Sequence, residues 1–369
     1  MSNTAERTAV AADRPAQPVA DISAIDVVAP NFKRRLSGIT STLLRILPEQ
    51  AKAVGIATAG VRFGAAVPHI PWMELPRLWR APKRRPFRIW HARRNTEMVA
   101  GLILRDVLRM PVRVVFTSAS QRHHTWSSRF LIARMDAVIS TSAKTAGYLK
   151  RTSTVIMHGI DAASFSPPPS RAAAKAALGF GDGPLVGCFG RIRAQKGTDV
   201  FVAAMIAVLP EFPHAQAVVL GRATESHSAF LAELKRRVAD AGLAGRIVFP
   251  GEVPADATIA WYRALDVFVA PQRWEGFGVT PLEAGACALP VVATTVGAFP
   301  ELVVDDVTGL LVPPGNADIM AAAVRRLLAD ADLRERYGAA ARARIGRDFS
   351  IAGEGDAINS VYRRLWEAT

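Results

Sequence analysis

Short apolar runs, separated by stretches of helical spacing, recur along this chain. Those at residues 25–29, 112–116, 185–189, 217–221, 247–251 and 265–271 are rich in Val, Ile, Leu and Phe. They are too short for buried helices and read as buried strands. Phe87-Arg88-Ile89-Trp90-His91 alternates in character and reads as a further strand. Helical spacing lies between them. Residues 39–47 put Leu43, Leu44 and Leu47 on one face, with Pro48 placed to stop that helix. Another helix should begin near Thr198, a third should cover 282–288 after Pro281, and a last one should run over 349–366. Strands alternating with helices predict an α/β protein with parallel, doubly wound sheets.

At 369 residues, half of them apolar, the chain can build two domains. Pro and Ser cluster at 166–170, which places a boundary there: a first domain at 22–166, completed by the last helix at 349–369, and a second at 167–348. Charge divides the same way. Residues 22–166 hold 23 Lys and Arg against 7 Asp and Glu, whereas the rest of the chain is close to neutral. A basic first half suggests an anionic partner, either a membrane surface, an acidic glycolipid or nucleic acid; a merely solubilising surface is the plainer reading. No recognised reading helix or base-stacking motif supports nucleic acid, and none is expected as a partner.

No run approaches the roughly 18 apolar residues of a spanning helix. Residues 1–21 read as a disordered tail, and Glu6 and Asp13 spoil any signal-peptide pattern. Cys188 and Cys287 sit in apolar runs and read as core residues of a reduced, cytosolic protein. No Cys and His spacing suits a metal, so no metal site is expected.

Chemistry concentrates at the ends of the predicted strands. After the run at 265–271 comes Trp274-Glu275-Gly276-Phe277-Gly278-Val279-Thr280-Pro281-Leu282-Glu283, which puts two carboxylates eight residues apart around a glycine-bracketed turn. Open amides from Gly276 to Thr280 would point from a helix N-terminus, where anions and sugar hydroxyls can be held. After 185–189, Gly190-Arg191-Ile192-Arg193-Ala194-Gln195-Lys196-Gly197 lets two cations converge on one anion. Gly38, between the first strand and first helix, would let a ligand approach the backbone. Arg93, Arg94 and Asn95 follow residues 87–91, as acceptor contacts or as ordinary surface. Either one of His123 and His124 reaches into a cleft, His124 being favoured, or both are surface histidines. Trp72 and Trp79, with Lys83, Arg84 and Arg85 close behind, suit either a seat on an anionic lipid surface or a packed irregular loop.

The run from Glu275 through Leu289-Pro290-Val291-Val292-Ala293-Thr294, Gly297, Pro300 and Glu301 resembles the E-x7-E region of the retaining, GT-B-type glycosyltransferases of family 4. Arg191 and Lys196 match its G-R-x4-K-G motif, and residues 135–150 and 154–167 match its linker region. The resemblance spans roughly residues 24–366. It implies two Rossmann-like domains facing across a cleft, with a nucleotide-sugar on the second and the acceptor on the basic first.

It further implies that Arg191 and Lys196 neutralise the leaving diphosphate. Glu275 and the loop amides would hold the transferred sugar, and Glu283 the ribose hydroxyls, without metal or cofactor. Transfer with retention would follow front-face attack, the leaving phosphate helping to take the acceptor's proton. On this resemblance the residues of the transfer itself are Arg191, Lys196, Glu275 and His124. Donor-binding residues are Gly38, Gly190, Gly251, Val253, Gly276, Phe277, Gly278, Val279, Thr280 and Glu283. Acceptor-binding residues are Lys33, Arg34, Arg93, Asn95, Arg122 and His123. The chain departs from the family at three places: Thr117 stands where a sugar-contacting histidine is common, His158 where Asn is usual, and Ser37-Gly38 where paired glycines occur.

Residues 31–38, 90–95, 116–119 and 157–161 resemble, more finely, the lipopolysaccharide-core mannosyltransferases of that family. This implies GDP-mannose as donor, Kdo of the inner core as acceptor, and a cytoplasmic enzyme peripherally bound to the inner face of the membrane. A UDP-sugar donor or another glycolipid would keep every donor motif. A non-catalytic membrane-binding scaffold and a sugar-nucleotide epimerase are the readings from other classes.

Overall fold

In the computed structural model, which describes residues 21–33, 38–62 and 67–368 (backbone alone at 38, 39 and 41), the apolar runs become the strands of two parallel sheets. The tail read at 1–20, and Arg34, lie outside the described residues. The chain divides into two units. The first runs to His158 and takes in residues from Ile351 onward; the second is Gly159–Ser350.

In the first unit the strands are β1 Val27–Asn31, β2 Ile56–Gly60, β3 His69–Ile70, β4 Arg88–Ala92, β5 Val112–Ser118, β6 Ala137–Ser140 and β7 Thr154–Val155. They lie in the order β3-β2-β1-β4-β5-β6-β7. Its helices are α1 Gly38–Ala51, α2 Asn95–Leu102, α3 Trp126–Ala133 and α4 Ala143–Gly147, together with the C-terminal helix Ile351–Glu367. Strand order reverses between β1 and β4, so right-handed crossovers carry α1 to one face of the sheet and α2 and α3 to the other.

Alternation along each strand supplies both faces. Val27, Ile89 and Val115 pack with Leu43, Ile46 and Leu47 of α1 and with Ile358, Val361 and Tyr362 of the C-terminal helix. Val28, Trp90 and Val114 pack with Met98, Leu102 and Ile132 on the opposite side.

Pro48 does not stop α1, which continues to Ala51. The last turn is held by tertiary contact: fully buried Gln50 donates to Asn359 Oδ1 at 3.2 Å and to Tyr362 Oη at 3.3 Å. Two hydrogen bonds made in the interior outweigh one helical bond lost at the helix end.

The second unit carries β8 Leu185–Phe189, β9 Gln216–Leu220, β10 Ile247–Gly251, β11 Val267–Ala270, β12 Val291–Thr294 and β13 Gly309–Val312, in the order β10-β9-β8-β11-β12-β13. Its helices are α5 Arg171–Ala177, α6 Thr198–Val208, α7 Ser228–Asp240, α8 Thr258–Ala264, α9 Thr280–Ala286, α10 Phe299–Leu302, α11 Ala317–Ala329 and α12 Ala331–Asp348. Two helices shift from their expected bounds. α9 ends at Ala286, because Ala288 takes a positive φ of 54°. Phe349 is the C-cap of α12, its amide donating to Ile345 O, so the last helix begins at Ile351.

A core built around α6 joins Phe201, Val202 and Met205 to Val186 of β8 and Val267 and Val269 of β11. Phe201 is fully buried. Phe201→Ala should therefore cost about 3–5 kcal/mol, read as faster amide exchange in β8 and β9. Exchange in β4 and β5, which belong to a separate core, should stay as it is.

Candidate active site

The second unit's switch point falls between β8 and β11, where the two loops with the richest chemistry leave adjacent parallel strands. Gly190 ends β8 and donates its amide to Leu220 O at 2.9 Å; Gly221 donates to Gly251 O at 2.8 Å. Arg191 is exposed and makes no hydrogen bond or ion pair among the described residues. The chain then turns through a 3-10 segment, Ala194–Lys196, into Gly197, which has φ 70° and precedes α6. A Cβ on Gly197 would lie 1.8 Å from Pro271 O, so only glycine lets the Lys196 turn close onto the loop after β11.

That closure brings Lys196 Nζ onto Glu275 Oε2 as an ion pair of partly buried side chains, 79 residues apart in sequence. Glu275 Oε1 accepts from the amide of Gly276 at 3.0 Å, so this amide, expected to be open, is already used. Gly278, φ 85°, lies against the Glu275 side chain: a Cβ there would come within 2.8 Å of Glu275 Cγ and 2.3 Å of Phe299 Cε1. Phe277 is buried beneath the turn. A small recess here is lined by Gly190, Arg191, Lys196 and Thr198.

Glu283, in the first turn of α9, accepts a hydrogen bond from Tyr262 at 2.8 Å. Burial, then the Glu283 charge and hydrogen bond, push the Tyr262 hydroxyl well above the ordinary tyrosine value, so it stays protonated and donating. Val253 follows β10 and is half-buried.

Two residues that sequence reasoning missed hold this arrangement. Tyr262 is fully buried in the core and also fixes Glu283. Arg273 grips both oxygens of Asp199, at 2.6 and 2.7 Å, and donates to Ala194 O at 2.7 Å, fastening the Lys196 turn to the Glu275 loop. No local pattern announces either contact, because the partners lie 21 and 74 residues away.

In the first unit three of the expected acceptor residues, Lys33, Arg93 and Asn95, follow the ends of β1 and β4, but with different roles. Gly38 opens α1. Asn31, buried at the end of β1, donates to Lys33 O and accepts from Arg94 Nη1 at 2.9 Å. Arg94 also pairs at 2.7 Å with Glu97, which is wholly buried, and donates to Thr40, so it braces the β1–β4 crevice. Asn95 opens α2 and donates to Ser128 at 2.7 Å.

The Arg93 side chain donates to His91 O at 3.2 Å and its amide to Glu97 Oε2 at 2.7 Å, and burial pulls the guanidinium below the usual arginine value. His91 is fully buried and contacts Thr117 Oγ1 at 2.7 Å. Burial, with Arg93 adding to it, holds His91 well below an ordinary histidine. His158, where the family favours Asn, pairs with Glu354 of the C-terminal helix at 2.7 Å.

The two candidate histidines separate. His123 is exposed and meets Tyr148 edge-on at 5.2 Å. His124 is half-buried, reaches Ser118 Oγ at 3.4 Å and lines a recess with Arg129, Tyr148 and Lys150. Its pKa is lowered by burial and then by Arg122, an exposed residue. Among the described residues no three His, Cys, Asp or Glu side chains converge as a metal would require.

Comparison with known proteins converges on one family. The profile described as glycosyl transferases group 1 matches residues 183–330. Over 356 residues the chain is 53% identical to the lipopolysaccharide core biosynthesis mannosyltransferase LpsB of Rhizobium meliloti (strain 1021), covering 94% of this chain and 99% of that protein. It is 47% identical to the lipopolysaccharide core biosynthesis mannosyltransferase LpcC of Rhizobium leguminosarum bv. viciae, over 94% of this chain and 98% of that one. Among solved structures, Anabaena Alr3699/HepE in complex with UDP superposes with a TM-score of 0.79 at 20% identity, covering 92% of this chain and all of that one. With two doubly wound Rossmann-like units and near full-length relatives at this identity, the chain belongs to the group 1 family of glycosyltransferases and has the GT-B type of fold.

Proposed function

We propose that the protein is a retaining mannosyltransferase that moves mannose from GDP-mannose to Kdo of the lipopolysaccharide inner core. The observation that carries the catalytic reading is the Lys196–Glu275 pair beside exposed Arg191 at the switch point of the second unit. Breaking the glycosidic bond leaves negative charge on the departing diphosphate oxygen. A lysine held by Glu275 and an arginine with no competing partner among the described residues can meet that charge without a metal. Glu283, fixed by Tyr262, presents a carboxylate suited to accept from a vicinal diol such as ribose. The near full-length relatives named as core mannosyltransferases support the choice of sugar. The basic first half supports an acidic acceptor.

We also propose that the first unit rests on an anionic, cytoplasmic membrane surface. No helix of the described residues is long and apolar enough to cross a membrane. α2 and α3 cover the same face of the sheet, and Val99 of α2, Ile103 just beyond it, and Trp126 and Phe130 of α3 are exposed, the last two stacked at 6.0 Å. Val107 and Trp79 are exposed nearby, and Trp79 donates to Leu108 O at 2.7 Å, joining the Trp72–Trp79 segment to this layer. Exposed Arg109, Arg122 and Arg129 lie in the same segments. Apolar anchors among arginines suit acidic headgroups; a second copy of the same face would set cation against cation.

Transfer of labelled sugar to Kdo-bearing lipid A, with GDP-mannose and UDP-hexoses compared in the presence of chelator, tests the catalytic proposal. Mannose transfer from the GDP donor alone is expected. Use of a UDP-sugar would overturn the donor, and a requirement for added divalent metal would overturn the metal-free mechanism. Lys196→Ala and Arg191→Ala should each lower kcat about 100-fold or more, and near-normal turnover by both would sink the leaving-group role. Trp126→Ser combined with Phe130→Ser should weaken binding to phosphatidylglycerol vesicles about tenfold or more. Unchanged sedimentation with those vesicles would remove this face from the membrane contact.

A further inference from the structure

We infer that the C-terminal helix arms a carboxylate-binding pair, Thr117 and Arg93, at the end of the first unit's sheet. The inference rests on the acidic-acceptor reading and names the atoms that would read the acid. It starts from the polarity of a buried hydrogen-bond chain. With its amide nitrogen turned toward the C-terminal helix, Gln50 donates to Asn359 Oδ1 at 3.2 Å and to Tyr362 Oη at 3.3 Å, while Gln50 Oε1 and Asn359 Nδ2 are left without partners. Tyr362 keeps a single proton and spends it on His91 Nδ1. His91 is fully buried and neutral, so an accepting Nδ1 leaves its proton on Nε2. Nε2 therefore donates to Thr117 Oγ1 at 2.7 Å. The threonine's own proton must then turn elsewhere, and Thr117 is partly exposed at the C-terminal end of β5.

Arg93 stands beside it. The β4–β5 register pairs Ala92 with Phe116, so the next residue on each strand is Arg93 and Thr117. Among the described residues the Arg93 side chain makes one hydrogen bond, to His91 O, and no ion pair. The nearest carboxylates are committed: Glu97 to Arg94, and Glu354 to His158. A half-buried guanidinium with spare N–H groups and a hydroxyl with a proton to give therefore follow paired positions on adjacent strands, and no described carboxylate bonds that guanidinium. One carboxylate has an oxygen for each. Burial weakens the Arg93 charge more than Glu97 and Glu354 support it, and an acidic ligand bonded directly to the guanidinium offsets that cost.

In this arrangement Thr117 and Arg93 contact the ligand, while His91 and Tyr362 are positioning residues. The first measurement is ¹⁵N NMR of the full chain labelled at histidine. His91 should report a proton on Nε2, and Tyr362→Phe should abolish that fixed tautomer; a proton on Nδ1 in the wild type would overturn the chain.

The second is an equilibrium titration with free Kdo and with its carboxamide. Wild type should bind the carboxylate about tenfold or more tightly than the amide. Thr117→Val, Arg93→Gln and Tyr362→Phe should each erase most of that preference, whereas Thr117→Ser, which keeps the hydroxyl, should restore it. A fold that merely needed these groups for packing would show no such selectivity. If wild type itself binds acid and amide alike, the acidic-acceptor reading fails. If wild type discriminates and the three variants discriminate equally well, that reading stands and the Thr117–Arg93 pair is refuted.

Discussion

All strands of a parallel sheet end at the same edge, and the chemistry of this protein depends on that constraint. Loops leaving adjacent strands at a switch point must start side by side, however far apart they lie along the chain. In the second unit this puts the Gly190–Gly197 loop against the loop that starts at Pro271, close enough that Gly197 tolerates no side chain. The Lys196–Glu275 pair is a consequence of that contact, and Arg273 secures it by binding Asp199 and the Ala194 carbonyl. Pairing lysine with glutamate holds a cation at these strand ends without leaving its charge unbalanced.

The first unit uses the same edge differently. Its strand ends are braced by buried polar side chains rather than by glycine turns. Arg94, Glu97, Asn31 and Thr40 form one network at the β1–β4 crevice. Gln50, Asn359, Tyr362, His91 and Thr117 form another under the C-terminal helix. The bonds of the second network tie the C-terminal helix to α1 and β4, although Gln50 Oε1 and Asn359 Nδ2 within it have no partner. They also explain why α1 runs through Pro48: its last turn carries Gln50 into the network.

Much of the site was legible from local sequence because glycine and charge are spaced by local rules. Glu275 and Glu283 flank a turn whose Gly278 admits no side chain, and Gly190 and Gly197 bracket Arg191 and Lys196. In the first unit, Arg93 and Asn95 follow the β4 strand directly. The histidines were less legible. His123 and His124 are neighbours in sequence, yet one packs edge-on against Tyr148 and the other reaches Ser118 beside a recess, and nothing in the dipeptide distinguishes them. His91 gave no sign either, since its role comes from partners on β5 and the C-terminal helix.

Sequence alone determined the α/β class, the parallel strands and the two loops of the second unit that bear its chemistry, because apolar period, proline and glycine act within a few residues. It also determined that the excess positive charge lies in the first half, which is a matter of counting. Tertiary structure decided which groups meet: Lys196 with Glu275, Tyr262 with Glu283, Arg273 with Asp199, and Tyr362 with His91. Those partners are separated by 21 to 271 residues, and only the packing of strands and helices sets their distances. It decided the ends of helices as well, at Pro48, Ala288 and Phe349. There a tertiary hydrogen bond, a left-handed residue or a cap overrode the local preference.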